Sequence, residues 1–311
     1  MQPKIVFLDA LSLGKCNLKE QLEEIGNYVE YDITAPNETL NRCKGFDIVL
    51  TNKVVLDSNI LESLKDSLKL ICITATGMNN VDLEVAKNLG ILVKNVAGYS
   101  TKSVAQHTLM MALSLSAKLP FYDFYCKSGD YAKSALFTEL SYPLELLDNK
   151  QWGIIGLGSI GREVARLASA FGAKVSYHST SGKNLAQDYP QLSLESLLKQ
   201  SDIVSIHAPL NAQTQNLINK SNLALLKENA ILINVGRGGI VNEEDLADEM
   251  QKRPIYAGFD VFVKEPMIQN HPFLNPKIKN QLVLTPHNAW GYEASKKILI
   301  NGILKNIHDF L

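Results

Sequence analysis

Cysteine is scarce. Four residues in 311, Cys16, Cys43, Cys72 and Cys126, stand far apart with no Cys-x-x-Cys pair. This argues against a disulfide frame and a cysteine zinc site, and fits isolated thiols in a reducing compartment. His107, His178, His271 and His308 have no metal-ligand spacing with one another or with the cysteines, so no metal is expected. Long hydrophobic runs are also missing. The longest, around Thr108 to Ala117, is too short to cross a bilayer. There is no excess of one charge either. The net charge of -1 leaves no footprint for nucleic acid or an anionic membrane. Met1-Gln2-Pro3-Lys4 leads straight into Ile5-Val6-Phe7-Leu8 and lacks the layout of a signal peptide. A cytoplasmic protein without membrane or nucleic-acid partners is expected.

What is present is ordinary globular composition, 46% hydrophobic and 20% charged, in a length that suits two domains. Buried strands are predicted over residues 4–10, 28–31, 47–51, 70–74 and 91–96, with helical patterns at 18–25 and around 61–64. Apolar runs without alternation, separated by helices, indicate a parallel sheet covered on both faces. Thr101 to Leu119 reads as one long helix closed by Pro120. Residues 121–150 are aromatic-rich (Phe121, Tyr122, Phe124, Tyr125, Tyr131, Phe137, Tyr142) and form either a packed connection or a dimer surface.

A second series follows, with strands at 152–156, 174–178, 202–207, 230–234, 256–261 and 282–285. Helices are predicted at 160–171, 194–200, 221–228 and 242–251. Glu293 to Leu311 reads as an amphipathic helix with Ile298, Leu299, Ile303, Leu304 and Ile307 on its apolar face. The predicted fold class is α/β, with two doubly wound parallel-sheet domains. Residues 1–99 plus 290–311 are expected to form one domain and residues 100–289 the other.

The stretch that organises the second series is Trp152-Gly153-Ile154-Ile155-Gly156-Leu157-Gly158-Ser159-Ile160-Gly161. Strand, tight turn and helix surround Gly-x-Gly-x-x-Gly, the context this motif requires. Gly156 permits the turn, Gly158 lets a pyrophosphate approach the backbone, and Gly161 lets the helix pack close to the strand. Gly156, Leu157, Gly158, Ser159, Ile160 and Gly161 are therefore cofactor-binding candidates.

Three later segments follow buried strands: Asn234-Val235-Gly236-Arg237-Gly238-Gly239, Gly258-Phe259-Asp260-Val261-Phe262 leading to Glu265-Pro266, and Thr285-Pro286-His287-Asn288. Ligands of open α/β sheets bind outside the carboxyl ends of strands. Arg237, Glu265 and His287 are thus placed to converge on a cofactor.

With these motifs the chain resembles the D-isomer-specific 2-hydroxyacid dehydrogenase family over nearly its whole length. Ala75-Thr76-Gly77-Met78-Asn79-Asn80-Val81-Asp82 and Gly98-Tyr99-Ser100-Thr101-x-Ser103-Val104-Ala105-Gln106-His107 are most similar to the glycerate dehydrogenase (hydroxypyruvate reductase) branch. The resemblance implies hydride transfer between NAD(P)H and a small 2-keto acid, hydroxypyruvate or glyoxylate. Other members of the family, such as D-lactate dehydrogenase, and a dinucleotide-sensing corepressor-like binding protein are the alternatives. It implies His287 as general acid, Glu265 orienting the imidazole and favouring its protonated form, and Arg237 on the substrate carboxylate. Backbone N–H groups near Thr76 and Gly77 would meet that carboxylate too. His207, Ala208 and Pro209 resemble the segment lining the adenine side, and Val235 lies beside the cofactor. Asp260 either engages the nicotinamide amide or is a buried acid capping a loop. The expected architecture is a flavodoxin-like substrate domain in residues 1–99 plus 290–311 and a Rossmann dinucleotide-binding domain in residues 100–289, with substrate in a cleft that closes by a hinge. A homodimer is also implied. Lys53 is either a substrate contact or a solvated loop charge.

One departure concerns the ribose. The acidic residue expected some twenty residues past the glycine turn is absent from Val175-Ser176-Tyr177-His178-Ser179-Thr180-Ser181-Gly182-Lys183. Nothing there repels a 2′-phosphate, and Ser179, Thr180, Ser181 and Lys183 can donate to one. The reading leans to NADP over NAD.

Overall fold

The computed structural model describes residues 2–182 and 188–311 and falls into two compact units, 1–99 with 291–311, and 100–290. The first unit alternates strand and helix: β1 (Lys4–Phe7), α1 (Leu18–Ile25), β2 (Asn27–Glu30), α2 (Thr39–Cys43), β3 (Ile48–Thr51), α3 (Ser58–Leu64), β4 (Leu70–Ile73), α4 (Leu83–Asn88) and β5 (Leu92–Lys94). All pairings are parallel, in the order β2-β1-β3-β4-β5. That is the flavodoxin-type order of a doubly wound sheet. The central strands β3 and β4 are buried at every residue, as strands covered on both faces must be. Asp57 and Asp82 cap α3 and α4 through their carboxylates, to the N–H groups of Ile60 and Val85.

The second unit contains α5 (Thr101–Ser116), α6 (Leu119–Lys127), β6 (Gln151–Ile155), α7 (Ser159–Ala170), β7 (Lys174–His178), α8 (Leu194–Gln200), β8 (Ile203–Ile206), α9 (Lys220–Leu223), β9 (Ile231–Asn234), α10 (Glu243–Lys252), β10 (Tyr256–Phe259) and β11 (Leu282–Leu284). Its six strands are parallel, in the order β11-β10-β9-β8-β6-β7. A single parallel bridge from Gln191 to Tyr177 extends the β7 edge. The chain leaves β6 to one side for β7, then returns to the other side for β8. The carboxyl ends of β6 and β8 therefore flank the switch point where doubly wound sheets bind ligands. The chain then returns to the first unit with α11 (Glu293–His308), which buries Leu299, Ile300, Ile303 and Ile307.

Several expectations need correction. Pro120 does not close a long helix. Helix α5 stops at Ser116, Lys118 takes a left-handed φ of 52°, and Pro120 sits in the first turn of α6. Proline fits there because the first helical N–H groups have no intrahelical acceptor. The helix expected over 221–228 is only Lys220–Leu223. Ile298, assigned to the apolar face of α11, is 55% exposed, and Ile300 is buried in its place.

Candidate functional site

The glycine turn sits where β6 passes into α7. Gly156 has φ 92°, and a Cβ there would press on the Ala208 backbone at 2.9 Å. A Cβ on Gly161 would strike the Gly156 carbonyl, so α7 packs against the turn only because that residue is glycine. A Cβ on Gly158 would meet nothing within 4 Å. The contrast separates two packing glycines from one facing open space, as a pyrophosphate site beside a helix N-terminus requires. Leu157, Ala208 and Val235 put their side chains into the apolar core, so they offer a ligand only backbone. Ser159 is exposed, Ile160 half-buried and Pro209 exposed.

Across the switch point, Ser205 on β8 joins two aromatic rings. Its Oγ accepts from Trp152 Nε1 at 2.9 Å and lies 3.0 Å from His207 Nε2. His207 Nδ1 is buried with no partner among the described residues, and burial pushes the imidazole pKa down to about 3. Ser179 Oγ, just past β7, is likewise buried without a described partner. Thr180 is half-buried and Ser181 exposed. Lys183 lies outside the described residues. Two buried polar atoms without partners, flanking the glycine turn, fit a site made to receive a polar ligand.

The loop after β9 carries Arg237. The buried Asn234 holds it from both sides: its Oδ1 accepts from Gly236 N at 3.1 Å and its Nδ2 donates to the Arg237 carbonyl at 2.9 Å. Arg237 Nη1 donates to the Gly236 carbonyl at 2.8 Å, which folds the guanidinium back over its own loop.

Glu265 and His287 come together from the loops after β10 and β11, with Oε2 and Nδ1 2.7 Å apart. The second oxygen of Glu265 accepts from Phe262 N at 3.0 Å, so the carboxylate is held by its own loop. His287 has a left-handed φ of 51°. Its N–H donates to the Asp260 carbonyl at 2.8 Å and to the Thr285 carbonyl at 3.1 Å. A non-glycine residue held there costs about 1 kcal/mol, which the surrounding hydrogen bonds must offset.

Those bonds centre on Asp260, which is 1% exposed. Its Oδ1 accepts from Thr285 Oγ1 at 2.6 Å and Asn288 N at 2.9 Å, and its Oδ2 from Ala289 N at 3.0 Å. Both oxygens are thus engaged by the His287 loop. His107, buried on α5, reaches Thr285 Oγ1 with Nε2 at 3.0 Å. Burial pushes the His107 pKa down while the Asp260 charge pulls it up. Asn234, Thr285 and His107 lie in the segments quoted from the sequence, but no role was assigned to them there. The only local signal was a polar residue at the end of an apolar strand, as Asn234 is.

In the first unit, Thr76 and Gly77 follow β4. The Thr76 hydroxyl donates to the Val96 carbonyl at 3.2 Å, and Asn95 Nδ2 donates to the Thr76 carbonyl at 2.6 Å. The buried Asp9, after β1, accepts from Asn52 N at 2.9 Å and Lys53 N at 2.8 Å, which fixes the Asn52–Lys53 loop. Desolvation raises the Asp9 pKa, against the hydrogen bonds from these amides.

A parallel sheet with a glycine turn at its switch point, and an arginine, a glutamate and a histidine on loops at its carboxyl edge, defines a dinucleotide-dependent oxidoreductase. Residues 109–289 match the family described as D-isomer specific 2-hydroxyacid dehydrogenase, NAD binding domain. The chain is 35% identical to the glycerate dehydrogenase of Methylorubrum extorquens, over 100% of its own length and 97% of that protein. It is 32% identical to the hydroxypyruvate reductase of Blautia hydrogenotrophica, over 99% and 97%. Among solved structures, an acyclic imino acid reductase in complex with NADPH and D-arginine superposes with a TM-score of 0.87 at 26% identity, covering 99% and 96% of the two chains. The chain belongs to the D-isomer-specific 2-hydroxyacid dehydrogenase family and is an NAD(P)-dependent oxidoreductase of that type.

Proposed function

We propose that the protein reduces a small 2-keto acid, hydroxypyruvate or glyoxylate, to the corresponding D-2-hydroxy acid. The observation that carries this reading is the 2.7 Å pair between His287 Nδ1 and Glu265 Oε2. With Nδ1 engaged, Nε2 is the nitrogen left to serve a substrate oxygen. His287 gives its proton to the keto oxygen as that oxygen gains charge, and takes it back in the reverse direction. Glu265, bonded to Nδ1, fixes the ring plane and turns Nε2 toward the substrate side. Arg237 holds the substrate carboxylate, for which a planar guanidinium suits better than an ammonium. Thr76 and Gly77 keep their proposed role as backbone donors to the carboxylate on the family resemblance. The nicotinamide, when bound, supplies the hydride. Gly156 and Gly161 would shape the turn, Gly158 and the first turn of α7 would receive its pyrophosphate, and His207 and the Val235 backbone would line the rest of its path.

The proposed coenzyme is NADP in preference to NAD. Support comes from the absence of a carboxylate from residues 175–183 and from the Ser179 hydroxyl, buried with no partner among the described residues. The proposed assembly is a homodimer. Leu119, Phe124, Leu136, Phe137, Leu140, Leu144 and Leu146 are all at least half exposed within one stretch of chain. Apolar exposure of that density suits a protein interface. Sedimentation at micromolar protein should give twice the chain mass, and a monomer would refute this assembly.

The test of function is the initial rate of hydroxypyruvate and glyoxylate reduction, followed by nicotinamide absorbance, with NADH and NADPH in parallel. Turnover faster with NADPH supports both readings. Turnover faster with NADH keeps the reaction and removes the coenzyme preference. Dinucleotide binding without turnover of either keto acid removes the proposed reaction.

A further inference from the structure

A buried, hydrogen-bonded glutamate–histidine pair holds the loop that carries Glu265, and the chemistry above does not use it. Glu243, the first residue of α10, is 7% exposed, and His271 is 6% exposed. Glu243 Oε2 lies 2.9 Å from His271 Nε2. His271 Nδ1 accepts from Phe273 N at 3.2 Å, so the proton of a neutral imidazole sits on Nε2 and points at Glu243. The other Glu243 oxygen accepts from Val263 N at 2.9 Å. The ring of His271 is edge-on to Phe262, with centroids 5.6 Å apart, and to Phe273 at 5.0 Å.

The place of the Val263 bond gives it meaning. Val263 is two residues before Glu265, and its neighbour Phe262 donates its N–H to Glu265. The same Phe262–Val263 peptide lies against Gly238, beside Arg237. A Cβ on Gly238 would run into the Phe262 carbonyl. Two loops therefore cross at one peptide unit, one carrying Arg237 and the other carrying Glu265. Glu243 stands at the end of the first loop and grips the second. An acid at a helix start gains from the dipole at any exposed position. That gain needs neither burial nor two hydrogen-bond partners in another loop.

We infer that Glu243, braced by His271, is a positioning residue that sets the spacing between the Arg237 loop and the Glu265–His287 pair. The inference rests on the proposed reaction for its catalytic consequence, and on the crossing of the two loops for its structural one. Misplacing a reacting group by about 1 Å can cost around a hundredfold in rate, so a fixed crossing matters.

Glu243→Gln tests it. The variant keeps the shape, but its single amide oxygen can serve Val263 N–H or His271 Nε2–H and not both, and its NH2 faces the remaining donor. Hydrogen exchange in segments 236–240 and 260–266 should quicken together. The dissociation constant for the dinucleotide should stay within about twofold, and kcat/KM for the keto acid should fall roughly 10- to 100-fold. His271→Gln, which keeps a donor for Glu243 and loses the acceptor for Phe273 N–H, should show the same pattern more weakly. It decides the matter if Glu243→Gln does not fold. Exchange that quickens only in 260–266, or a lowered melting temperature with unchanged kcat and KM, would overturn the inference. A wild-type protein that reduces neither keto acid removes the proposed function instead. The coupled exchange of the two loops would then decide the clamp alone.

Discussion

The Thr285 hydroxyl donates to the buried Asp260 carboxylate at 2.6 Å, while His107 Nε2 lies 3.0 Å from Thr285 Oγ1 itself. A helix residue is thereby linked, through one hydroxyl, to the acid that holds the His287 loop. Thr285→Val keeps the shape and removes the hydroxyl. It leaves His107 without this partner and Asp260 short of a donor. The expected loss is about 1–3 kcal/mol of stability, the usual range for a stranded buried polar group. Urea unfolding should show it, together with a lower kcat. Unchanged stability would mean that the three groups are not coupled.

His287 sits at a φ of 51°, a region that asparagine tolerates better than alanine. His287→Asn should therefore keep the loop conformation and lose the acid. Its kcat should fall by about 10²–10⁴, the range general acid catalysis supplies, with dinucleotide affinity unchanged. Wild-type turnover in this variant would remove His287 from the reaction.

Arg237→Gln should leave dinucleotide binding intact and lower kcat/KM for the keto acid by about 10- to 100-fold, as expected when a charge-assisted hydrogen bond is lost. Arg237→Lys should recover only part of this, because an ammonium cannot reproduce the bidentate fork. Full activity with lysine would mean that charge alone is needed. Steady-state kinetics with varied keto acid distinguishes the two.

His207 predicts a pH dependence of stability. Burial holds its pKa at about 3 in the fold, below the ordinary 6.5. The unfolded chain takes up this proton as pH falls past about 6.5, and the fold does not. The neutral ring's contribution is therefore complete above that pH and is lost progressively between pH 6.5 and 3. Its size is at most about 1.4 kcal/mol per pH unit. Urea unfolding at pH 7 and pH 4.5 should show a smaller acid loss for His207→Asn than for the wild type. Equal losses in both proteins would mean that His207 titrates normally in the fold.

The doubly wound sheets and the Gly156–Gly161 turn were readable because they leave local marks, namely unbroken apolar runs and a fixed glycine spacing after a strand. That Arg237, Glu265 and His287 stand on loops after β9, β10 and β11 was readable because loops after parallel buried strands share one sheet edge. The supports behind them were not. His107 and Thr285 are 178 positions apart, and no local pattern reports such a contact. Glu243 carries no mark in the sequence beyond an acid at a helix start, and His271 none beyond a histidine between strands. Pro120 was misjudged because proline both ends helices and begins them, and only the left-handed turn at Lys118 decides between the two. The face of α11 was misjudged because Ile298, Leu299 and Ile300 are consecutive and apolar, and only the neighbours it packs on select two of the three.

The first unit is assembled from two separated pieces of chain. Gly302 of α11 leaves room for Val96, to which a Cβ would come within 2.6 Å, and Asn306 Nδ2 donates to the Asn95 carbonyl at 2.9 Å. A ribosome makes residues 1–99 first and these partners only after the whole second unit. At about 5–20 residues per second, the β4–β5 side of the sheet waits about ten to forty seconds for its covering helix. Over that interval residues 1–99 lack α11, and the first unit cannot finish. The nascent protein thus carries, for as long as the second unit is being made, a side of the first sheet that α11 has yet to cover and that is open to chaperones.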